Sequence, residues 1–202
     1  MTRTRRNPDE AKRLILDAAA ELLRDGGPEA VQMRAVAARL GQTDAAIHHH
    51  FGSRDGLLES LLRDAGRRMR ARVGEVVGGF GDHADPGALV NALAEIYAEG
   101  YGELGIALNR SGWRDRGSGM LRGVVDALHV RARRRYRARG GPRPVRRDIE
   151  LSVAALHQAL ATESAFGHEF RRSVGFRGTE SAGARAARRW WADVLRRIVD
   201  GS

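Results

Sequence analysis

Apolar residues recur along this chain at i, i+3, i+4 and i+7, the spacing of one helix face, and no stretch alternates as a half-buried strand would. Ala11, Leu14, Ile15, Ala18, Leu22 and Leu23 form the first stripe. Asn7-Pro8-Asp9-Glu10 opens it with a capping side chain, a proline at the first helical position and two acids at the positive end of the dipole. Gly26-Gly27-Pro28 closes it. Met33, Val36, Ala37 and Leu40 mark a short second helix, which Gly41 ends by relieving a left-handed backbone. Thr43 can cap a third helix that holds Ala45, Ala46, Ile47, His50 and Phe51.

Ser53 then caps a fourth helix expected to reach about Val77, with Leu57, Leu58, Leu61, Leu62, Ala65, Met69, Val73 and Val76 on one side. At 1.5 Å per residue it spans roughly 36 Å, enough for a rigid lever between two domains. Gly78 to Asp82 reads as a loop, and Asp85-Pro86 starts a helix carrying Leu89, Val90, Leu93, Ile96 and Tyr97. Gly100, Gly102, Gly105 and Gly112 predict an irregular region with a short helix near Leu104–Arg110. Met120, Leu121, Val124, Val125, Leu128 and Ala132 predict a helix to about Ala138. Gly140 to Pro144 is the clearest linker. Ile149, Val153, Leu156 and Leu160 mark the next helix, reaching towards Phe170, and a loop from about Gly175 to Glu180 precedes the last helix. The expectation is an all-α chain of about nine helices.

Two short helices joined by a Gly-containing turn make a helix-turn-helix, whose second helix enters the DNA major groove. Ala37 is small enough for the crossing point, and Ile47 pins the second helix to the first. Thr43, Asp44, Ala45, His48 and His49 are left on the outer face. The flank sharpens this pattern. His48-His49-His50-Phe51 followed by Gly52-Ser53-Arg54-Asp55-Gly56-Leu57-Leu58 resembles the TetR family of bacterial transcriptional regulators, in which a Tyr-x-His-Phe motif precedes a Gly-Ser-Lys/Arg-acidic-x-Leu-Leu helix opening. The resemblance runs from about Arg13 to Arg72. It departs from the family pattern at Asp44, where Lys is common, at His48, where Tyr is common, and at Gln42, which replaces an apolar residue. The resemblance implies a DNA-binding domain over residues 1–54, with the helix-turn-helix at 33–51. An effector-binding and dimerisation domain over 55–202 would follow, linked by helix 4 at 53–77.

Composition adds less than the motif. The 202 residues carry a formal net charge of +10, which favours an anionic partner, nucleic acid first. The excess is spread along the chain, because residues 1–72 hold fourteen basic and ten acidic side chains. Lys12 is the only lysine, so the arginine richness reads as a composition bias as much as a functional choice. There is no cysteine for a disulfide or a thiolate metal site, no window of about 20 apolar residues, and no apolar export segment, so a cytoplasmic protein is expected.

The candidate DNA contacts are Gln32, Arg34, Thr43, Asp44, Ala45, His48, His49 and Arg54. Arg54 at a helix N-terminus has the chemistry of a phosphate clamp. Arg3, Arg5 and Arg6 form an arm that could reach a minor groove, or a plain frayed tail. Successive helical residues point about 100° apart, so His48, His49 and His50 cannot converge on one metal ion. Asp44 and His48 alone make a poor site, and no cofactor is expected. The stretch Arg131 to Arg147 holds nine arginines and no acid, either an anion site or a solvated helix end. The family resemblance implies a dimer built on the last helices, placing Leu156, Leu160, Trp191, Val194, Leu195 and Ile198 at the interface. It also implies an effector pocket, for which Tyr97, Tyr101, Trp113, His129, His157 and Glu163 are the candidates.

These observations predict a homodimeric, ligand-responsive repressor on a palindromic DNA operator, with an unknown small-molecule effector and no membrane partner. One rival is a DNA-binding protein of the same fold without a small ligand, acting on the nucleoid or tuned by a protein partner. An enzyme is not expected: no nucleophile elbow, phosphate loop or His-Glu-x-x-His motif is present.

Overall fold

The hydrophobic stripes fold as helices throughout. In the computed structural model, residues 7–78, 85–114, 119–139 and 145–200 are described, and among them there is no strand. Among the described residues ten α-helices follow one another: α1 (Pro8–Ala30), α2 (Met33–Leu40), α3 (Asp44–Phe51), α4 (Arg54–Gly78), α5 (Pro86–Ile96), α6 (Gly102–Arg110), α7 (Arg122–Arg139), α8 (Arg146–Ala161), α9 (His168–Ser173) and α10 (Glu180–Asp200). Two π-helical turns, Tyr97–Tyr101 and Glu163–Gly167, lead into α6 and α9. Among the described residues no helix is long and apolar enough to cross a membrane. The loop expected at Gly78 to Asp82 falls beyond Gly78 outside the described residues, as do the linker Gly140 to Pro144 and the arm with Arg3, Arg5 and Arg6.

The chain forms two compact units. The first comprises Met1–Gly66 and Glu99–Arg114, and the second Arg67–Ala98 and Asp115–Ser202. Helix α4 starts in the first and ends in the second.

In the first unit α1 packs on α2 and α6, and α2 packs on α3. Asn7 caps α1 through Oδ1, which accepts from the Asp9 amide at 3.2 Å. The α1 backbone leaves helical geometry at Gly26 and Gly27, and Pro28 starts a last turn that ends at Ala30. Ile15, Ala19, Leu23, Val31, Val36, Ile47, Leu57, Leu61 and Leu104 fill the interior.

In the second unit α10 lies against α5, α7 and α8. Asp85 caps α5 by accepting from the Gly87 amide at 3.0 Å. Leu89, Val90, Leu93, Val124, Ile149, Leu156 and Leu195 are its most enclosed side chains. Leu156, Leu160 and Leu195, expected between subunits, are buried in the chain's own core. Trp191, Val194 and Ile198 lie on another face of α10 and remain half-exposed.

The arginine run between Arg131 and Arg147 finds acids from outside itself. Arg131 and Arg135 both reach Asp200, and Arg146 pairs with Asp126 at 2.7 Å and Glu150 at 2.9 Å. Arg131 and Asp200 are only 14% and 16% exposed, which makes this the least screened ion pair of the group.

Candidate nucleic-acid interface

The turn between α2 and α3 is built by one glycine and one threonine. Gly41 sits at φ 61°, ψ 31°, the left-handed region where a side chain costs about 1–2 kcal/mol. Its amide donates to the Ala38 carbonyl at 3.2 Å, and the Gln42 amide donates to the Ala37 carbonyl at 2.9 Å. These paired bonds close the end of α2 as a Schellman motif. Two residues later Thr43 Oγ1 accepts from the Ala46 amide at 3.3 Å and starts α3. The chain reverses within three residues.

Ile47 is 0% exposed and fixes the roll of α3 on α2, where Val36 and Ala37 are also buried. That roll leaves Thr43, Ala45, His48 and His49 exposed and Asp44 half-buried. The apolar side faces inward and a short polar surface faces out, as a recognition helix requires.

His48 has a place of its own on that surface. Its Nδ1 lies 3.2 Å from the Gly52 carbonyl, and its Nε2 lies 3.7 Å from Asp44 Oδ2. The ring thus spans both ends of α3. His49 and His50 sit edge to face with centroids 5.4 Å apart. Burial, then His49, then Lys12 push His50 below the ordinary imidazole value, because each disfavours the charged ring.

Helix α4 starts as tightly as α3. Gly52 reverses the chain at φ 72°, and Ser53 Oγ accepts from the Gly56 amide at 3.1 Å. A side chain at Gly56 would collide with the Phe51 carbonyl, so this position requires glycine. Arg54 is half-buried and turns inward: Nε donates to the Val31 carbonyl at 2.9 Å and Nη2 to the Pro28 carbonyl at 2.6 Å. The guanidinium that the sequence aims at phosphate is instead a brace on the chain end between α1 and α2. Gln32 likewise folds back, donating to the Glu29 carbonyl at 2.8 Å. Arg34 stays exposed on α2. Arg39, which sequence reasoning passed over, is tied to Asp25 at 3.0 Å and Glu21 at 3.3 Å on α1.

Residues 15–61 match the family model described as bacterial regulatory proteins, tetR family. Over these residues the chain is similar to the TetR family. The matched segment starts inside α1 and ends in α4, so it covers the whole helix-turn-helix and both of its supports.

Similar solved structures cover nearly the full length. The fatty acid degradation regulator FadR from Bacillus halodurans has a TM-score of 0.54 at 14% identity, covering 95% of this chain and 96% of its own. The superantigen PfiT has a TM-score of 0.50 at 19% identity, covering 90% and 96%. AmtR from Mycobacterium smegmatis has a TM-score of 0.43 at 22% identity, covering 96% of each chain. For FadR and PfiT, at these identities, the likeness is one of fold. No curated protein matches the sequence.

The residues proposed for an effector pocket fall in different units of the chain. Tyr101 and Trp113 belong to the first, and Tyr97, His129, His157 and Glu163 to the second. Trp113 is occupied with a carboxylate on α4: Arg63 first, and Trp113 second, hold Glu59 below the usual carboxyl range. In the second unit Tyr97 is buried beside His157, with ring centroids 5.6 Å apart, and burial pushes its phenol up. His129 is half-exposed on α7. Glu163 accepts from Arg171 Nη1 at 2.7 and 2.9 Å, an ion pair that closes the π-helical turn onto α9.

Proposed function

We propose that this DNA-binding transcriptional regulator works as a dimeric, ligand-responsive repressor that reads a palindromic operator. The observation that carries the DNA-reading part is the roll of α3. Ile47 is fully enclosed, while Thr43, Ala45, His48 and His49 face outward from a rigidly capped helix. Thr43 and Arg34 are suited to phosphate, and Ala45, His48 and His49 to base edges. A single α3 of eight residues reads only a few base pairs, so a two-fold pair on successive major grooves supplies the missing specificity.

Dimerisation is supported by the apolar surface that α8 and α10 leave uncovered. Leu151 is 61% exposed on α8, and Trp191, Val194 and Ile198 form a half-exposed stripe on α10. The effector reading rests on the family resemblance. The class proposed is an apolar ligand. FadR from Bacillus halodurans, similar in fold, is a regulator of fatty acid degradation, which fits that class. Ligand would act by preferring one of two conformers, with reciprocal coupling to DNA.

Footprinting on the DNA upstream of the protein's own gene tests the proposal. A protected site with two-fold symmetry is expected, together with a dimer by sedimentation. Specific binding by a monomer would rule the arrangement out.

A further inference from the structure

The recognition helix carries no permanent positive charge. Its eight residues, Asp44 to Phe51, include no lysine or arginine, and the one fixed charge is the Asp44 carboxylate. Three of the chain's seven histidines are consecutive on this helix, and the first unit holds no other. Two nearby fixed cations are already engaged: Arg39 with Glu21 and Asp25 on α1, and Arg54 with the Val31 and Pro28 carbonyls. Arg34, on α2, is exposed.

We infer that this chain binds DNA together with protons: His48 and His49 become cationic on the operator, and occupancy is therefore set by pH. The inference rests on the reading of α3 as the helix that meets DNA. Duplex DNA presents one negative charge per about 1.7 Å of axis, a field that raises the proton affinity of any imidazole brought against it. Imidazole titrates near 6.5 in general, so such a field moves its charge across the physiological range.

The His48 ring lies between two acceptors on α3. Neutral imidazole has one N–H, yet Nδ1 faces the Gly52 carbonyl and Nε2 faces Asp44 Oδ2, both of which are acceptors. Nδ1 is within hydrogen-bond reach of its carbonyl, while Nε2 at 3.7 Å is within ion-pair reach only of Asp44. A cationic His48 on the operator offsets the Asp44 carboxylate, the one group of α3 that repels phosphate. His49 is exposed and has no fixed charge beside it on α3 other than its histidine neighbours. His50 lies on the inner side, where burial first, then His49, then Lys12 of α1 oppose its protonation. Among the charged groups around α3, Asp44 therefore favours proton uptake, Lys12 opposes it at His50, and Arg39 and Arg54 are turned to other partners.

The sign follows from linkage. Proton affinity is higher on DNA than off it, so the gain is fully present below the free imidazole value and is lost as pH rises through the bound one. Each proton taken up on binding makes affinity fall by up to about tenfold per pH unit.

Fluorescence anisotropy of the full chain on a duplex from its own upstream DNA tests this between pH 6 and 8.5 at fixed ionic strength. An unrelated duplex and the melting temperature at each pH serve as controls. Affinity for the specific duplex is expected to fall by about tenfold or more from pH 6 to pH 8. His48→Gln and His49→Gln should each flatten the profile, and the double variant should abolish it while retaining the fold. A flat wild-type profile with specific binding intact overturns the inference and leaves the DNA-reading proposal standing. An undiminished slope in the double variant also overturns it, because the protons then bind elsewhere. No specific binding at any pH overturns the DNA-reading proposal and the inference together.

Discussion

Arg54 Nε donates to the Val31 carbonyl at 2.9 Å, joining the first residue of α4 to the residue that follows α1. A second bond, from Nη2 to Pro28, makes the guanidinium a two-point staple across 23 and 26 residues of sequence. Charged donors on buried carbonyls contribute about 1.5–3 kcal/mol each before compensation by water. Arg54→Ala should therefore destabilise the protein by about 2–4 kcal/mol in urea unfolding, since two carbonyls lose their donor. Arg54→Lys should recover only part of this, because an ammonium cannot reproduce the planar fork. The salt dependence of DNA binding distinguishes a staple from a phosphate clamp. A staple leaves the log–log slope unchanged in the surviving folded fraction, whereas loss of one phosphate contact lowers it by about one.

The helix-turn-helix makes two demands that single substitutions can separate. Ile47→Ala removes a fully enclosed side chain and should cost about 2–5 kcal/mol, with loss of DNA binding as α3 loses its anchor. Gly41→Ala keeps every contact but forces a Cβ into the left-handed region, at about 1–2 kcal/mol. Nothing lies within 4 Å of a Cβ at Gly41, so the cost is conformational and not steric. Gly41→Asn should recover much of the loss, since Asn tolerates that backbone. Equal losses for Ala and Asn in thermal melts would contradict this account.

The local rules of capping and spacing made the first unit's helices readable. Asn7, Thr43 and Ser53 cap where a short polar residue precedes an apolar stripe, and Gly41 ends α2 in the left-handed region. The TetR-family resemblance was legible for the same reason, since it lies in a contiguous segment of such signals. Side-chain allegiance was not. Arg54 looks like any exposed cation at a helix start until the Pro28 and Val31 carbonyls are brought beside it by the fold. Leu156, Leu160 and Leu195 are apolar at helical spacing, and spacing alone cannot say whether such a stripe meets its own chain or another. The membership of residues 99–114 in the first unit depends on α6 packing against α1, a long-range contact with no local signal.

Tyr97 makes the second unit sensitive to alkali. Burial raises its phenol because the anion would lose its hydration, so the neutral form is favoured in the folded state. A raised folded value means that its contribution is fully present below the unfolded value of about 10 and is lost as pH rises above it. The unfolding free energy should fall between pH 10 and 11.5 with a slope of up to about 1.4 kcal/mol per pH unit from this one group. Tyr97→Phe should flatten the slope while leaving stability at pH 7 nearly unchanged. Parallel slopes for the two proteins in urea titrations would assign the alkaline loss to other groups.

The dimer proposal separates two kinds of leucine on one helix. Leu151 and Leu156 both lie on α8, but Leu151 is 61% exposed and Leu156 is 0% exposed. A charge at Leu151 meets water in the isolated chain and an apolar partner surface in the proposed dimer. Leu151→Glu should therefore leave helicity and cooperative melting of the chain intact while shifting sedimentation from dimer to monomer. Operator affinity should fall with it, since each half-site is then held alone. Leu156→Glu buries an unpaired carboxylate in the core of the second unit and should unfold it outright. Trp191→Ala, on the half-exposed stripe of α10, should weaken the dimer without that collapse. A Leu151→Glu protein that remained dimeric at micromolar concentration would place the subunit contact on another face.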